Sequence, residues 1–284
     1  MPDHVTIFEV GPRDGLQNQK RIIPTTDKIK LVDLLSDCGF SHIETTSFVS
    51  PKWVPQMSDA AAVMAGISRK KGTSYTALTP NMRGYNAGIR AGANEVAIFG
   101  SASEGFSQKN INCSIDESFS RFFPIMHQAK IDKCKVRGYV SCVTDCPYDG
   151  PIDPGQVIRV AVRLLEMGCY EISLGDTIGA ATVETTHRLI SSMLNYMPAD
   201  VLAGHFHDTN NLALGNIEVC LDAGIRTFDS AVGGLGGCPY ADGAKGNVDT
   251  VSVVNMLHEK MFETGIDVGK LQIASEFARS LGEK

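Results

Sequence analysis

Residues 5–15 read VTIFEVGPRDG: a short run of β-branched and aromatic residues, then a turn where Gly11 and Pro12 end the strand and Arg13 and Asp14 follow. An open dinucleotide-binding sheet would carry Gly-x-Gly-x-x-Gly after its first strand, and this turn lacks it. Outward from here, similar runs recur at residues 42–47, 74–79, 95–99, 136–143, 170–174, 201–207 and 227–232, each trailed by a segment of helical spacing. Eight βα units in strict alternation predict a closed (β/α)8 TIM barrel in one domain spanning residues 1–284. Residues 266–284 add one more amphipathic helix, and residues 101–115 form the longest insertion.

The helical segments carry the right faces. Ile29, Val32 and Leu35 share one side of residues 26–37, and Val157, Val160, Leu164 and Leu165 share one side of 154–167. Gly39 and Gly168 stand where these helices stop. Trp53, the single tryptophan, is expected to pack within the second βα segment, between Pro51 and Pro55.

With 43% hydrophobic and 20% charged residues the chain can bury a large core. A formal net charge of -6 without a dense Lys/Arg run argues against nucleic acid as partner. No run of 18 apolar residues predicts a membrane span, and no targeting segment is recognisable. The eight cysteines are scattered without a Cys-x-x-Cys pair, which fits reduced thiols and a cytoplasmic location.

In such a barrel the chemistry gathers where strands end and βα loops begin. That rule selects Arg13 and Asp14 after the first strand, Glu44 on the second, Asp176 ending the sixth, and His205-Phe206-His207 ending the seventh. His205 and His207, two apart on a strand, share a face and can grip one ion, with Phe206 turned to the helix layer. Closure sets the first strand close to the seventh, so Asp14 reaches the same ion. Asn247, read as opening a helix after the eighth unit, is a candidate fourth ligand, although Asn is also a common N-cap.

Two imidazoles and two oxygen donors suit Mg²⁺ or Mn²⁺, while Zn²⁺ or Co²⁺ would also bind. Residues 233–237, Gly-Gly-Leu-Gly-Gly, lack the Lys and Ser/Thr of a nucleotide loop and read as a mobile lid. Cys238 beside them serves equally as a turn filler or a proton donor. Glu44 and Asp176 either orient Arg13 and the ligands or form a rim ion pair.

Taken together, EVGPRDGLQ at 9–17, IETTSFVSP at 43–51, KNINC at 109–113, LGDT at 174–177 and GGLGGCPY at 233–240 resemble the 3-hydroxy-3-methylglutaryl-CoA lyase family over nearly the whole chain. The resemblance implies Asp14, His205, His207 and Asn247 as ligands of a divalent cation, Mg²⁺ or Mn²⁺. It implies Arg13, Asp14, Glu44, Asp176 and Cys238 as catalytic groups, and Arg13 and Asn110 as substrate contacts. It further implies cleavage of 3-hydroxy-3-methylglutaryl-CoA to acetyl-CoA and acetoacetate, as in leucine breakdown and ketone-body formation, by a homodimer. Lys20, Lys52 and Lys109 are rim candidates for the CoA phosphates, against the more frequent reading of solvated surface lysines. Two stretches depart from the family: Asn210-Asn211-Leu212, where relatives usually carry Tyr-Gly-Gln, and Gly105, where Leu is usual.

The competing enzyme is a synthase of the same barrel group that condenses acetyl-CoA with a 2-oxo acid. The Gly-Gly-Cys-Pro-Tyr loop and the lack of a regulatory domain after the barrel weigh against it. A non-catalytic metal-binding barrel would be expected to lose a ligand, and all four are present.

Overall fold

Each of the eight runs forms a parallel strand: β1 (Thr6–Glu9), β2 (His42–Ser47), β3 (Ser74–Leu78), β4 (Glu95–Ser101), β5 (Lys135–Ser141), β6 (Ile172–Asp176), β7 (Leu202–Phe206) and β8 (Thr227–Ser230). The strands close in chain order, β8 pairing back onto β1 through Thr6–Thr227 to Glu9–Ser230. This is the TIM barrel expected from the sequence. The structure is a computed structural model, and it describes residues 3–237 and 246–282.

Strand alternation sorts the side chains into two environments. Tyr75, Val96, Ile98, Val136 and Val140 face outward into one continuous core shared with the helices. The residues between them face the barrel axis, and many are polar. At the floor Glu95 accepts hydrogen bonds from Ser74 Oγ at 3.1 Å and Tyr170 at 2.9 Å, with His42 3.7 Å away and stacked on Phe8.

The surrounding helices are specified by their ends as well as their faces. α1 (Thr25–Asp37), α2 (Ala60–Gly66), α3 (Met82–Arg90), α4 (Glu104–Ile111) and α5 (Ile115–Asp132) are followed by α6 (Pro154–Met167), α7 (Val183–Met193), α8 (Ala213–Asp222), α9 (Thr250–Glu259) and α10 (Val268–Leu281). Asp153 caps α6 by accepting from Gly155 N, and Gly168 ends it at φ 108°, a left-handed conformation that suits glycine. Ser114 and Glu117 form a reciprocal capping box on α5. α6 approaches the sheet closely over Gly138, where a Cβ would lie 3.2 Å from Leu164 Cδ1 and 2.9 Å from Ile172 Cδ1 on the neighbouring strand.

Three expectations change here. The 101–115 insertion contains α4 and is therefore a short helix of its own. Trp53 is 79% exposed, with Lys52 over its ring; the buried residues of this stretch are Gln56 and Met57. Gln56 is held there because its amide accepts from Ile23 N and donates to the carbonyls of Gln19 and Arg21, stitching the first two βα loops together. Asn247 does not open a helix: α9 begins at Thr250 and its N-cap is Asp249, which accepts from Ser252 N.

Candidate metal centre

The turn after β1 is wound tightly. Residues Gly11–Gly15 form one π-helical turn in which Arg13, Asp14 and Gly15 all donate their N–H to the carbonyl of Val10. Beneath it, Glu9 Oε1 accepts from Gly11 N at 2.7 Å and Val232 N at 3.0 Å, and Oε2 accepts from Thr250 Oγ1 at 2.7 Å. A Cβ at Gly11 would lie 2.6 Å from Glu9 Oε1, so a glycine is required for this clamp. Burial pushes the Glu9 carboxyl up to about 7 despite these three donors.

Two successive side chains are thereby presented at the barrel mouth. Arg13 donates from Nε to Glu44 Oε2 at 2.5 Å and from Nη1 to Asp14 Oδ1. Burial opposes ionisation of Asp14, but Arg13, His205, His207 and the amide of Asn247 outweigh it and hold its carboxyl well below the usual range. Burial likewise raises Glu44, and Arg13 only partly offsets this.

The histidine pair closes the site from β7 and the residue after it. His205 Nε2 lies 4.0 Å and His207 Nε2 3.9 Å from Asp14 Oδ2, and the three residues converge as a possible ligand set. Residues 246–249 lie like a short extra strand across the top of β7 and β8. Val248 N donates to Phe206 O, Asp208 N to Gly246 O and Ala231 N to Val248 O, which bridges Asn247 to His207. Asn247 Nδ2 donates to Asp14 Oδ2 at 2.8 Å and to Leu235 O at 3.2 Å.

His205 and His207 differ in their support. Asp229, on β8, lies 3.0 Å from His205 Nδ1 and is held well into the anionic range at about 2, because Arg137 and His205 outweigh its burial. A carboxylate there takes the hydrogen of Nδ1, which leaves the Nε2 lone pair facing Asp14. Burial opposes protonation of His205, but Asp229 and Asp14 outweigh it and raise its pKa. His207 Nδ1 has no hydrogen-bond partner among the described residues, and burial with the neighbouring His205 lowers His207 to about 4.

A divalent cation fits this donor set. Two imidazole nitrogens and a carboxylate oxygen lie within 4.8 Å of one another, so small side-chain movements bring all three to one ion. Asn247 Oδ1 is buried without a hydrogen-bond partner among the described residues, on the amide whose Nδ2 meets Asp14 Oδ2.

The remaining expected residues separate. Asp176 ends β6, and its carboxylate accepts from Ala180 N and Ala181 N in the loop that follows; burial raises it to about 6, with nearby His205 acting in the opposite direction. Asn110 stands on the exposed last turn of α4. Cys238 lies outside the described residues. Sequence reasoning missed Asp229, together with Arg137 and Ser173, which contact it, and Glu171, which pairs with Arg137. Arg137 donates to Glu171 at 2.6 Å and lies 2.8 Å from Asp229, to which Ser173 also donates. Their signal was charge at alternate positions inside otherwise apolar strands.

The two departures noted in the sequence have local reasons. Asn211 sits at φ 59°, the left-handed region that Gly and Asn adopt most readily. Asn210 donates to Gly179 O and ties the loop after β7 to the loop after β6. At position 105 a Cβ would lie 2.3 Å from Asp149 Oδ1, and Gly105 N donates to the same carboxylate.

Residues 4–278 match the HMGL-like family. The chain is 54% identical over 98% of its length, and 83% of the relative's, to a protein of Danio rerio named 3-hydroxy-3-methylglutaryl-CoA lyase, cytoplasmic. It is 53% identical over 97% of its length, and 92% of the relative's, to the 3-hydroxy-3-isohexenylglutaryl-CoA/hydroxy-methylglutaryl-CoA lyase of Pseudomonas aeruginosa. The crystal structure of the HMG-CoA lyase from Brucella melitensis superposes with a TM-score of 0.98 at 56% identity, covering 99% of this chain and 100% of that one.

Proposed function

The chain belongs to the HMGL-like family, and on that premise we propose that it is a hydroxymethylglutaryl-CoA lyase. It breaks the C2–C3 bond of 3-hydroxy-3-methylglutaryl-CoA to give acetyl-CoA and acetoacetate. The observation that carries the reading is the meeting of Asp14, His205 and His207 beside a guanidinium already gripped by Glu44.

The cleavage removes the proton of the C3 hydroxyl, turns C3–O into a carbonyl, and leaves the electron pair of the C2–C3 bond on the thioester as an enolate. Asp14, His205, His207 and Asn247 would hold a divalent cation, Mg²⁺ or Mn²⁺. Bound there, it supplies Lewis acidity toward the substrate oxygens. Asp14 receives the hydroxyl proton. Its carboxylate is a weak base while Arg13 is bonded to it, so any turn of the guanidinium toward substrate strengthens it as an acceptor.

Glu44 fixes Arg13 by Nε, and the far edge of the guanidinium is the part offered to the enolate oxygen. A placed donor of this kind is worth about 3 to 4 kcal/mol in the transition state. Cys238 then delivers a proton to the enolate carbon, and the glycine-rich loop at 233–237 excludes water. The homodimer is carried by the family resemblance and the cytoplasmic location by cysteines scattered without a Cys-x-x-Cys pair; light scattering tests the first.

Incubation with Mg²⁺ or Mn²⁺ and 3-hydroxy-3-methylglutaryl-CoA, with acetoacetate measured enzymatically, tests the reading. Acetoacetate formation that is lost on chelation and restored by added metal is expected. Release of free CoA from acetyl-CoA and a 2-oxo acid, without acetoacetate formation, would establish a condensing synthase instead.

A further inference from the structure

Much of the barrel interior is polar or charged, and one wall of it is apolar. Leu78 on β3, Ala97 on β4 and Tyr139 on β5 form a hydrophobic cluster separate from the main core, with Phe99 packed against it. Strand neighbours of these residues, Val96, Ile98 and Val140, belong to the helix-side core, so the cluster faces the barrel axis. Register confirms a continuous wall: Leu78 pairs with Ala97, and Phe99 pairs with Tyr139.

This wall stands across the barrel from the ligands. In the closed order, β3, β4 and β5 lie opposite β7, β8 and β1, which supply His205, His207, Asp229 and the Asp14 turn. Tyr139 reaches from the wall to the site, its ring centroid 6.2 Å from that of His205 and 5.6 Å from the Arg13 guanidinium carbon. Phe99 is only partly buried, which leaves apolar surface turned toward the mouth.

A 3-hydroxyacid thioester held by its hydroxyl and carboxylate at the ligand side carries one apolar group on C3 and needs somewhere to put it. We propose that Leu78, Ala97, Phe99 and Tyr139 form the pocket for the C3 substituent and set the size of alkyl group the enzyme accepts. The proposal rests on the lyase reading above and names the substrate class that site takes. Ala97, at the centre of the wall, controls its depth, and Phe99 controls its length toward the mouth.

The test compares kcat/KM for 3-hydroxy-3-methylglutaryl-CoA and for its 3-isohexenyl homologue in wild type, Phe99→Ala and Ala97→Leu. A methylene in an apolar pocket changes discrimination by about 10-fold to 200-fold. Phe99→Ala is therefore expected to raise the isohexenyl-to-methyl ratio by roughly tenfold or more, and Ala97→Leu to lower turnover of both substrates, the larger one most. Circular dichroism and bound-metal content, unchanged from wild type, separate this from misfolding, and Phe99→Ala decides alone if Ala97→Leu does not fold. Ratios within twofold of wild type in folded variants overturn the pocket and leave the lyase reading intact. A wild-type enzyme that forms no acetyl-CoA from either substrate removes the reading and the pocket together.

Discussion

Glu9 gives the most quantitative expectation. Its carboxyl is fully buried between β1, the turn after β8 and the start of α9, where Gly11 N, Val232 N and Thr250 Oγ1 donate to it. Its pKa is raised from 4.5 to about 7 chiefly by burial. Between those values the folded state holds a proton that the unfolded chain has released. Stability from this group is complete below about 4.5, falls as pH rises, and is lost above about 7. The gap corresponds to about 3 kcal/mol. The substitution Glu9→Gln installs an amide that does not ionise, keeps an oxygen for Gly11 and Val232, and offers an N–H to Thr250. This variant is therefore expected to match wild type near pH 4.5 and to exceed it by up to about 3 kcal/mol at pH 8. For a chain of this length that is a rise of ~5 °C in Tm. Thermal melts followed by circular dichroism from pH 4.5 to 8 measure it. A Tm difference that does not change with pH would refute the buried-acid account.

Asp229→Asn keeps the shape beside His205 but removes the anion that fixes its tautomer, and metal affinity measured by calorimetry is expected to fall about 10-fold to 100-fold. Arg13→Lys loses the planar fork that spans Glu44 and Asp14, and kcat is expected to drop by roughly two orders of magnitude with the metal retained; near-normal kcat would remove the enolate role. Cys238→Ser is expected to lower turnover sharply without changing metal content by elemental analysis, and unchanged turnover would take the thiol out of the reaction. Gly11→Ala places a methyl on Glu9 Oε1 and is expected to destabilise the protein by about 1 to 3 kcal/mol in denaturant melts.

The barrel was legible because its strands repeat a simple contrast of β-branched runs and helical periods, and because β1 ends without a nucleotide fingerprint. His205 and His207 were legible for the same reason: a period of two puts both on one face. Asn247 was found through its position in the chain, yet the expected reason was wrong. Its neighbours carry no strand signal of their own, and only the backbone bonds to Phe206 and Ala231 place it beside His207. Trp53 was misjudged because hydrophobicity alone does not say which residue of a proline-bounded turn is turned inward; Gln56, a polar residue, took the buried place by satisfying three backbone groups. Asp176 stands at a strand end as the rule expects, and what the strand pattern does not display is that its carboxylate also fastens the loop that follows it.

The deeper charges follow a rule that no single strand displays. Arg13 at the rim lies between Glu44 and Asp14, and Arg137 below it lies between Glu171 and Asp229. Tyr139 sits between the two guanidiniums, its ring 5.6 Å from one and 5.1 Å from the other, with its hydroxyl accepting from Arg137. Buried ion pairs of this kind add little net stability, because desolvation consumes most of the attraction. What they impose is position: in each level one carboxylate of the pair also serves the candidate ligand set, Asp14 directly and Asp229 through His205. Removing the lower arginine would leave two buried carboxylates against each other beneath the site. The cost would then reach His205 before it reached the fold, because Asp229 is the group that holds the imidazole in register with Asp14.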